Sequence, residues 1–230
     1  MLLRLMDHAR AQPPVLAGID VLERHGFREL QGRRVGLITN HSGRDAAGRS
    51  TIDLLYHAPG VKLVALFSPE HGLRGDVDRL VASGRDAVTG LPIYSLYGAE
   101  RRPTAASLRG MDTLVYDIQD LGVRFYTYIT TMGYCLEAAS AAGLEFVVLD
   151  RPAPLNGEVL EGDLMDPARF AFTGYYRIPV RYGMTVGELA RYYFVRNLRG
   201  RLSVVPLQGW RRSMYYDETG LPWINPSPNI

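Results

Sequence analysis

A single cysteine, Cys135, stands among 230 residues. No internal disulfide can form, and neither a zinc knuckle nor an iron–sulfur cluster can be assembled on thiolates. Lysine is equally scarce: Lys62 is the only one, so arginine supplies nearly all of the 26 basic residues, which face 24 acidic ones for a formal net charge of +2. These arginines are scattered and form no stripe of the kind that grips nucleic acid, so nucleic acid is not an expected partner. No run approaches the roughly 18 apolar residues that a membrane-spanning helix needs. The opening stretch, Met1 to Ala17, lacks the apolar core and small-residue cleavage site of a secretory signal, which gives the expectation of a cytoplasmic location. Nucleotide signatures are missing too. The turn after the first apolar run reads TNHSGRDAAG rather than GxGxxG, and GxxxxGK[ST] occurs nowhere, so no nucleotide cofactor is expected. Without HExxH, HxH or a His/Asp pair at ligand-like spacing, no metal is expected either.

What is present is a chain that is 47% hydrophobic and 22% charged, enough to bury a substantial core and inconsistent with disorder. Five apolar runs are short, β-branched and nearly continuous: Val35–Asn40, Val61–Ser68, Asp112–Gln119, Glu145–Asp150 and Leu202–Leu207. Continuity rather than alternation marks strands covered on both faces. Between them, Thr51–Ala58, Tyr126–Ala142 and Thr185–Asn197 carry helical spacing. Gly143 supplies a helix stop, and Thr185 with Glu188 fits a capping box. Alternating buried strands and helices predict an α/β fold, a Rossmann-like three-layer sandwich with a mostly parallel sheet. Residues 156–181 have little regular period and form a long excursion expected over one edge of the sheet. Neither an internal repeat nor a linker divides the chain, so residues 1–230 are read as one domain.

Ligands of open parallel sheets bind beyond the carboxyl ends of the strands. Four successive strand ends carry polar or titratable side chains: Thr39-Asn40-His41-Ser42, then Ser68-Pro69-Glu70-His71 running on to Arg74, then Asp117 to Arg124 with Gln119 and Asp120, then Asp150-Arg151-Pro152. Glu70 and His71 have the residue types of an acid/base pair, or one of them caps the following helix. Asp117 and Asp120 offer the carboxylate pair that glycosidic cleavage uses, or a helix cap. Asp150 and Arg151 read equally as a structural pair. Arg124, Tyr126 and Tyr128 bring a cation and hydroxyl-tipped rings suited to a carboxylate and a sugar face, or pack as the start of a helix. Cys135 falls mid-helix among apolar neighbours, where thiols are inert.

The series GLITNHSG, FSPEHGLRG, YDIQDLGVRFYTYI, LDRPAPLNGEVLEG, RYGMTVGELA and NPSPNI resembles, in order from about Gly18 to Ile230, the NamZ (YbbC) family of exo-acting β-N-acetylmuramidases. The resemblance implies a Rossmann-like N-terminal domain of a peptidoglycan-recycling glycosidase that releases N-acetylmuramic acid from the non-reducing end of its substrate, without a cofactor. The glutamate of PEHG maps onto Glu70 as general acid/base. Asp120 of DIQD is the first candidate for its partner, with Glu161 behind it. Asn40, His71, Arg74, Gln119, Arg124, Tyr126, Asp150 and Arg151 are the expected substrate-binding residues, and Arg74, Arg124 and Arg151 are the cations available to a lactyl carboxylate. Family members continue past NPSPN into a C-terminal domain, so the expectation is of that N-terminal domain alone, with a face open to association, including a homo-oligomer. The alternative function is a truncated, non-catalytic muropeptide-binding module.

Overall fold

The structure is a computed structural model that describes residues 14–73 and 83–226. Its frame is a seven-stranded sheet: β1 (Arg34–Thr39), β2 (Lys62–Ser68), β3 (Gly84–Arg85), β4 (Pro92–Ser95), β5 (Thr113–Asp117), β6 (Glu145–Leu149) and β7 (Arg201–Val205). The strand order is β3-β4-β2-β1-β5-β6-β7, and every pairing is parallel except β3 with β4. From β1 the chain builds outward to β2 and β4, then returns to β1's other side with β5 and continues to β6 and β7. The β1/β5 boundary is therefore the point where the winding reverses, and the crevice beyond their carboxyl ends is where such sheets bind ligands.

Among the described residues four helices cover the two faces: α1 (Gly18–Arg24), α2 (Thr51–His57), α3 (Thr127–Ala141) and α4 (Val186–Asn197). Alternation along each strand divides the core between them. Leu37, Val115 and Val147 pack with Ile19 and Leu22 of α1 and Leu55 of α2. Ile38, Tyr116 and Val148 pack with Ile129, Met132 and Leu136 of α3 and Leu189 of α4. All five residues of β5 are buried, as the middle of a doubly covered sheet requires. Each such large apolar side chain contributes roughly 1.5–3 kcal/mol by leaving water.

The predicted strands and helices are present with ends displaced by one or two residues, and the three-layer α/β architecture is the one expected. Thr185 Oγ1 accepts from the Glu188 amide while the Glu188 carboxylate accepts from the Thr185 amide, completing the capping box. Gly143 adopts φ 70° directly after α3, a left-handed stop that glycine takes without strain. Three elements lie outside the predicted set: α1, too short to establish a period, and the edge pair β3 and β4. Pro92 opens β4, one of the few places a strand tolerates proline. The excursion 156–181 lies over α3 and α4 rather than an edge of the sheet. Tyr176 and Ile178 enter the core on that face, and the Tyr176 hydroxyl donates to the Ile129 carbonyl at 2.8 Å.

Candidate functional site

The turn after β1 folds tightly back toward β5. An added Cβ on Gly43 would fall 2.1 Å from Thr39 Oγ1 and 2.9 Å from the Asp117 carbonyl, so only glycine permits this approach. Asn40 Oδ1 accepts from both the amide and the hydroxyl of Ser42, at 2.9 and 2.6 Å, and Ser42 Oγ in turn accepts from the Gln119 amide at 3.0 Å. These bonds tie the ends of β1 and β5 together across the switch point. Gln119 Nε2 donates to the carbonyls of Asp120 and Pro152. Gln119 Oε1 is left buried with no hydrogen-bond partner in the protein.

Asp117 closes β5 with its carboxylate inside the protein. Arg151 Nε and Nη2 grip its two oxygens at 2.6 and 2.9 Å, the Thr51 hydroxyl donates to it as well, and Arg151 Nη2 reaches the Arg44 carbonyl at 2.9 Å. Burial works against the Arg151 charge, and the Asp117 carboxylate more than restores it, leaving the guanidinium above its ordinary pKa. Asp150 is also committed: its carboxylate accepts from the Thr185 hydroxyl at 2.8 Å, the Gly187 amide at 2.8 Å and the Arg151 amide at 3.0 Å, fastening the start of α4 to the end of β6. Burial raises its pKa to about 6 against those bonds.

Asp120 is buried at the switch point. Its Oδ2 accepts from the Gly122 amide at 2.7 Å and from the Tyr182 hydroxyl, whereas Oδ1 has no partner. Burial pushes this carboxyl up to about 6, with the Tyr182 hydroxyl and the amides of Gly122 and Leu121 opposing it.

Glu70 stands at the rim, half-buried, two residues past β2. Its Oε2 accepts from Thr127 Oγ1 at 2.7 Å, at the N-terminus of α3. Tyr126 is the residue preceding α3, and its ring meets that of Tyr128 edge-on at 4.9 Å. The Tyr128 hydroxyl donates to the Pro226 carbonyl at 2.7 Å. Burial raises its pKa to about 12, with Asn40 and Tyr126 favouring its ionised form and the Glu70 carboxylate opposing it. Glu70 and Thr127 are therefore half-buried at the outer end of this network, with Tyr128 and Asn40 buried behind them. Segment 223–226 crosses it: His41 Nε2 lies 2.6 Å from the Asn225 carbonyl. A carbonyl only accepts, so Nε2 carries the proton. His41 Nδ1 is buried and partnerless.

Other residues named from the sequence lie elsewhere or serve other contacts. Arg124 Nη1 donates to the carbonyls of Asp163 and Ile178, both at 2.6 Å, holding down the long excursion. Glu161 is exposed and pairs with Arg181 at 2.8 Å. His71 follows Glu70 with φ 68°, a left-handed conformation uncommon for histidine. Arg74 lies outside the described residues. Thr127, Tyr182 and His41 were absent from the expected set. His41 sits in the singled-out TNHS turn, but nothing local tells that a carbonyl 184 residues away fixes its tautomer. Among the described residues no group of three or more His, Cys, Asp or Glu side chains is placed to hold a metal ion, and no helix is long and apolar enough to cross a membrane.

Fold and site together define a doubly wound α/β domain with a polar switch point where the described residues supply carboxylates, hydroxyls and amides rather than a phosphate-binding loop. The chain belongs to the NamZ family: residues 35–230 match the profile described as exo-β-N-acetylmuramidase NamZ, N-terminal. It is 46% identical over 222 residues to the peptidoglycan β-N-acetylmuramidase NamZ of Bacillus subtilis strain 168, an alignment that covers 95% of this chain and 54% of that protein. Two crystal structures of DUF1343 family proteins from Bacteroides fragilis are similar. One has TM-score 0.89 and 48% identity over 94% of this chain and 56% of its own, and the other has TM-score 0.77 and 32% identity over 89% and 55%. The chain thus spans about half the length of the relatives it matches.

Proposed function

We propose that this chain carries the acid/base machinery of a glycoside hydrolase that releases N-acetylmuramic acid from the non-reducing end of peptidoglycan fragments. The observation that carries the reading is Glu70. Among the described residues it is a half-buried strand-end carboxylate, and the Thr127 hydroxyl orients one of its oxygens. Family membership and the B. subtilis relative supply the substrate class.

In this mechanism Glu70 protonates the leaving oxygen as the bond from C1 to that oxygen breaks, and a water oxygen bonds to C1. Thr127 holds Glu70 Oε2 so that Oε1 faces the glycosidic oxygen. Tyr128 and Asn40 are buried behind Glu70 and Thr127 and support them from inside. Asp120, three residues past the end of β5, is the proposed partner that would accept the water proton.

The test is hydrolysis of a chromogenic β-N-acetylmuramide by the 230-residue chain beside Glu70→Gln and beside the matching N-acetylglucosaminide. Turnover of the muramide alone, reduced by at least about a thousandfold in the variant, is the expected result, in line with the loss of a catalytic acid. An active Glu70→Gln chain removes Glu70 from this role. A folded chain that binds the muramide without cleaving it is instead the muropeptide-binding module.

A further inference from the structure

Cations that are scattered along the sequence are gathered by the fold. At the amino edge of the sheet, opposite the carboxyl ends that lead to Glu70 and Asp120, Arg34 opens β1, Lys62 opens β2, Arg201 opens β7 and Arg109 lies four residues before β5. All four are exposed. The helix ends at this edge repeat the pattern: Arg24 closes α1 with Arg28 after it, and Arg196 stands in the last turn of α4 with Arg199 after it. These four are exposed as well. Of the eight, Arg28 alone forms an ion pair among the described residues, 3.4 Å from Glu29.

The carboxylates of the same edge are half-buried and engaged. Glu29 lies 2.5 Å from His25, Glu145 accepts from Arg33 at 3.1 Å and the Ser203 hydroxyl at 2.7 Å, and Asp112 accepts from the Arg34 amide at 3.0 Å and the Thr113 hydroxyl at 2.8 Å. Glu23, beside Arg24, is taken up by Arg49 at 2.5 Å. With Arg33 included, nine cations face Glu29, Glu145 and Asp112, an excess of six positive charges in a chain whose formal net charge is +2. The rest of the chain is therefore net negative, and the molecule has a charged pole.

The shape of this pole selects its partner. Strands β2, β1, β5, β6 and β7 stand side by side, and four spacings of about 4.8 Å spread Lys62, Arg34, Arg109 and Arg201 over about 19 Å. Because α1 and α4 pack on opposite faces of the sheet, Arg24 and Arg28 flank this row on one side and Arg196 and Arg199 on the other. The charge covers an area. A linear polyanion is gripped along a stripe or groove, whereas exposed cations spread over three layers match a plane of negative charge such as the headgroups of an anionic bilayer. Tyr56 and Val195 are the exposed large apolar side chains in the last turns of the helices here, too few to insert, so the attraction is electrostatic and reversible.

We propose that the amino edge is a peripheral docking surface for an anionic phospholipid membrane, holding the chain with its carboxyl-edge site turned away from the bilayer. The seven residues of β2 separate the two edges by about 20 Å. That is more than twice the Debye length of about 8 Å at physiological ionic strength, so a docked membrane leaves the charges around Glu70 unaltered. Docking of this kind is independent of the hydrolase reading.

The experiment is cosedimentation of the folded 230-residue chain with vesicles of about 40% phosphatidylglycerol in phosphatidylcholine, beside vesicles of phosphatidylcholine alone, at about 50 and about 300 mM NaCl. Two charge-matched variants accompany it: Lys62→Glu with Arg201→Glu on the edge, and Arg177→Glu with Arg211→Glu at exposed cations away from it. The parent is expected to sediment with the anionic vesicles at low salt and to stay in solution with the neutral ones, its affinity falling at least about tenfold at the higher salt. Reversal on the edge is expected to cost at least about tenfold in affinity, and the control reversal no more than about threefold. Equal binding to neutral vesicles, indifference to salt, or an equal loss in both variants overturns the proposal. So does retention by duplex DNA or inorganic polyphosphate without binding to anionic vesicles, which assigns the edge to a linear polyanion. Circular dichroism of both variants is expected to match the parent, and the lipid and salt dependence of the parent decides the matter even if a variant fails to fold.

Discussion

Replacing Arg151 by methionine keeps an apolar stem of similar length and deletes a guanidinium whose side chain is 6% exposed against an Asp117 carboxylate that is 0% exposed. Three hydrogen bonds go with it, two to Asp117 and one to the Arg44 carbonyl. Asp117 is then left buried with its charge supported by the Thr51 hydroxyl but no cation. Removing one partner of a buried pair costs about 3–5 kcal/mol, because the survivor is stranded out of water. In a chain of this size each kcal/mol lowers the melting temperature by about 2–4 °C. Arg151→Met is therefore expected to melt about 6–20 °C below the parent. Adding Asp117→Asn to it removes the stranded charge and is expected to restore at least half of the loss, since a neutral replacement of a buried pair is close to isoenergetic. Urea unfolding followed by tryptophan fluorescence, with calorimetry as a second probe, measures both. A loss below about 1 kcal/mol in Arg151→Met, or a double variant no more stable than the single one, refutes a structural Asp117–Arg151 pair. The same result separates this role from recognition of a lactyl carboxylate, which would raise KM and leave the ligand-free chain as stable as before.

Thr127→Val deletes the donor to Glu70, and bonds to charged groups are worth about 1.5–3 kcal/mol, so kcat/KM for the muramide should fall about 10- to 100-fold while the melting temperature hardly moves. Gly43→Ala forces its Cβ against Thr39 Oγ1 and the Asp117 carbonyl, and a loss of about 1–3 kcal/mol in urea unfolding is expected. Asp120 has a folded pKa of about 6, against about 3.9 for an unperturbed aspartate. Between those values the folded chain holds a proton that the unfolded chain releases, so this group's contribution to stability falls as pH rises and is lowest above about pH 6. The advantage of Asp120→Asn over the parent should accordingly grow by about 1 kcal/mol from pH 5 to pH 7; an advantage that shrinks over that window refutes the assignment.

The frame of the fold was readable because its causes are local. Continuous runs such as Leu114–Tyr116 and Val147–Leu149 belong to strands covered on both faces, and Thr185 with Glu188 satisfies the first amides of α4 within four residues. The pair β3 and β4 escaped notice because two residues beside a proline-led strand carry no period, and their pairing comes from β2. At the site, the polar strand ends pointed to the carboxyl edge of the sheet, where Glu70, two residues past β2, accepts from the Thr127 hydroxyl at the start of α3. They did not apportion the polar groups among partners, because those partners are tertiary. Arg151 reaches Asp117 across 34 residues, Tyr182 reaches Asp120 across 62, and Asn225 reaches His41 across 184. Thr127 carried a weak signal, a hydroxyl beside the start of a helix, which looks the same whether it caps the helix or holds a carboxylate from another loop.

The strand-end carboxylates differ in depth, and depth assigns their work. Asp117 and Asp150 have each oxygen engaged, the first by Arg151 and Thr51, the second by Thr185 and the amides of Gly187 and Arg151, so both are spent on joining elements. Glu70 lies nearer solvent with one oxygen held. Asp120 is intermediate: buried like the first two, but with Oδ1 unbonded. An ionised oxygen in that position costs free energy unless a donor reaches it. The cost is expressed as the pKa of about 6. Any ligand whose hydroxyl or water donates to Oδ1 must therefore lower that pKa, and by linkage must stabilise the chain more above pH 6 than below it. Melting curves with and without the muramide at pH 5 and pH 7 read this directly. A ligand-induced rise in melting temperature that is larger at pH 7, and no longer so in Asp120→Asn, places a donor on Asp120 rather than on Asp150, whose pKa is also about 6, and a rise independent of pH places the ligand elsewhere.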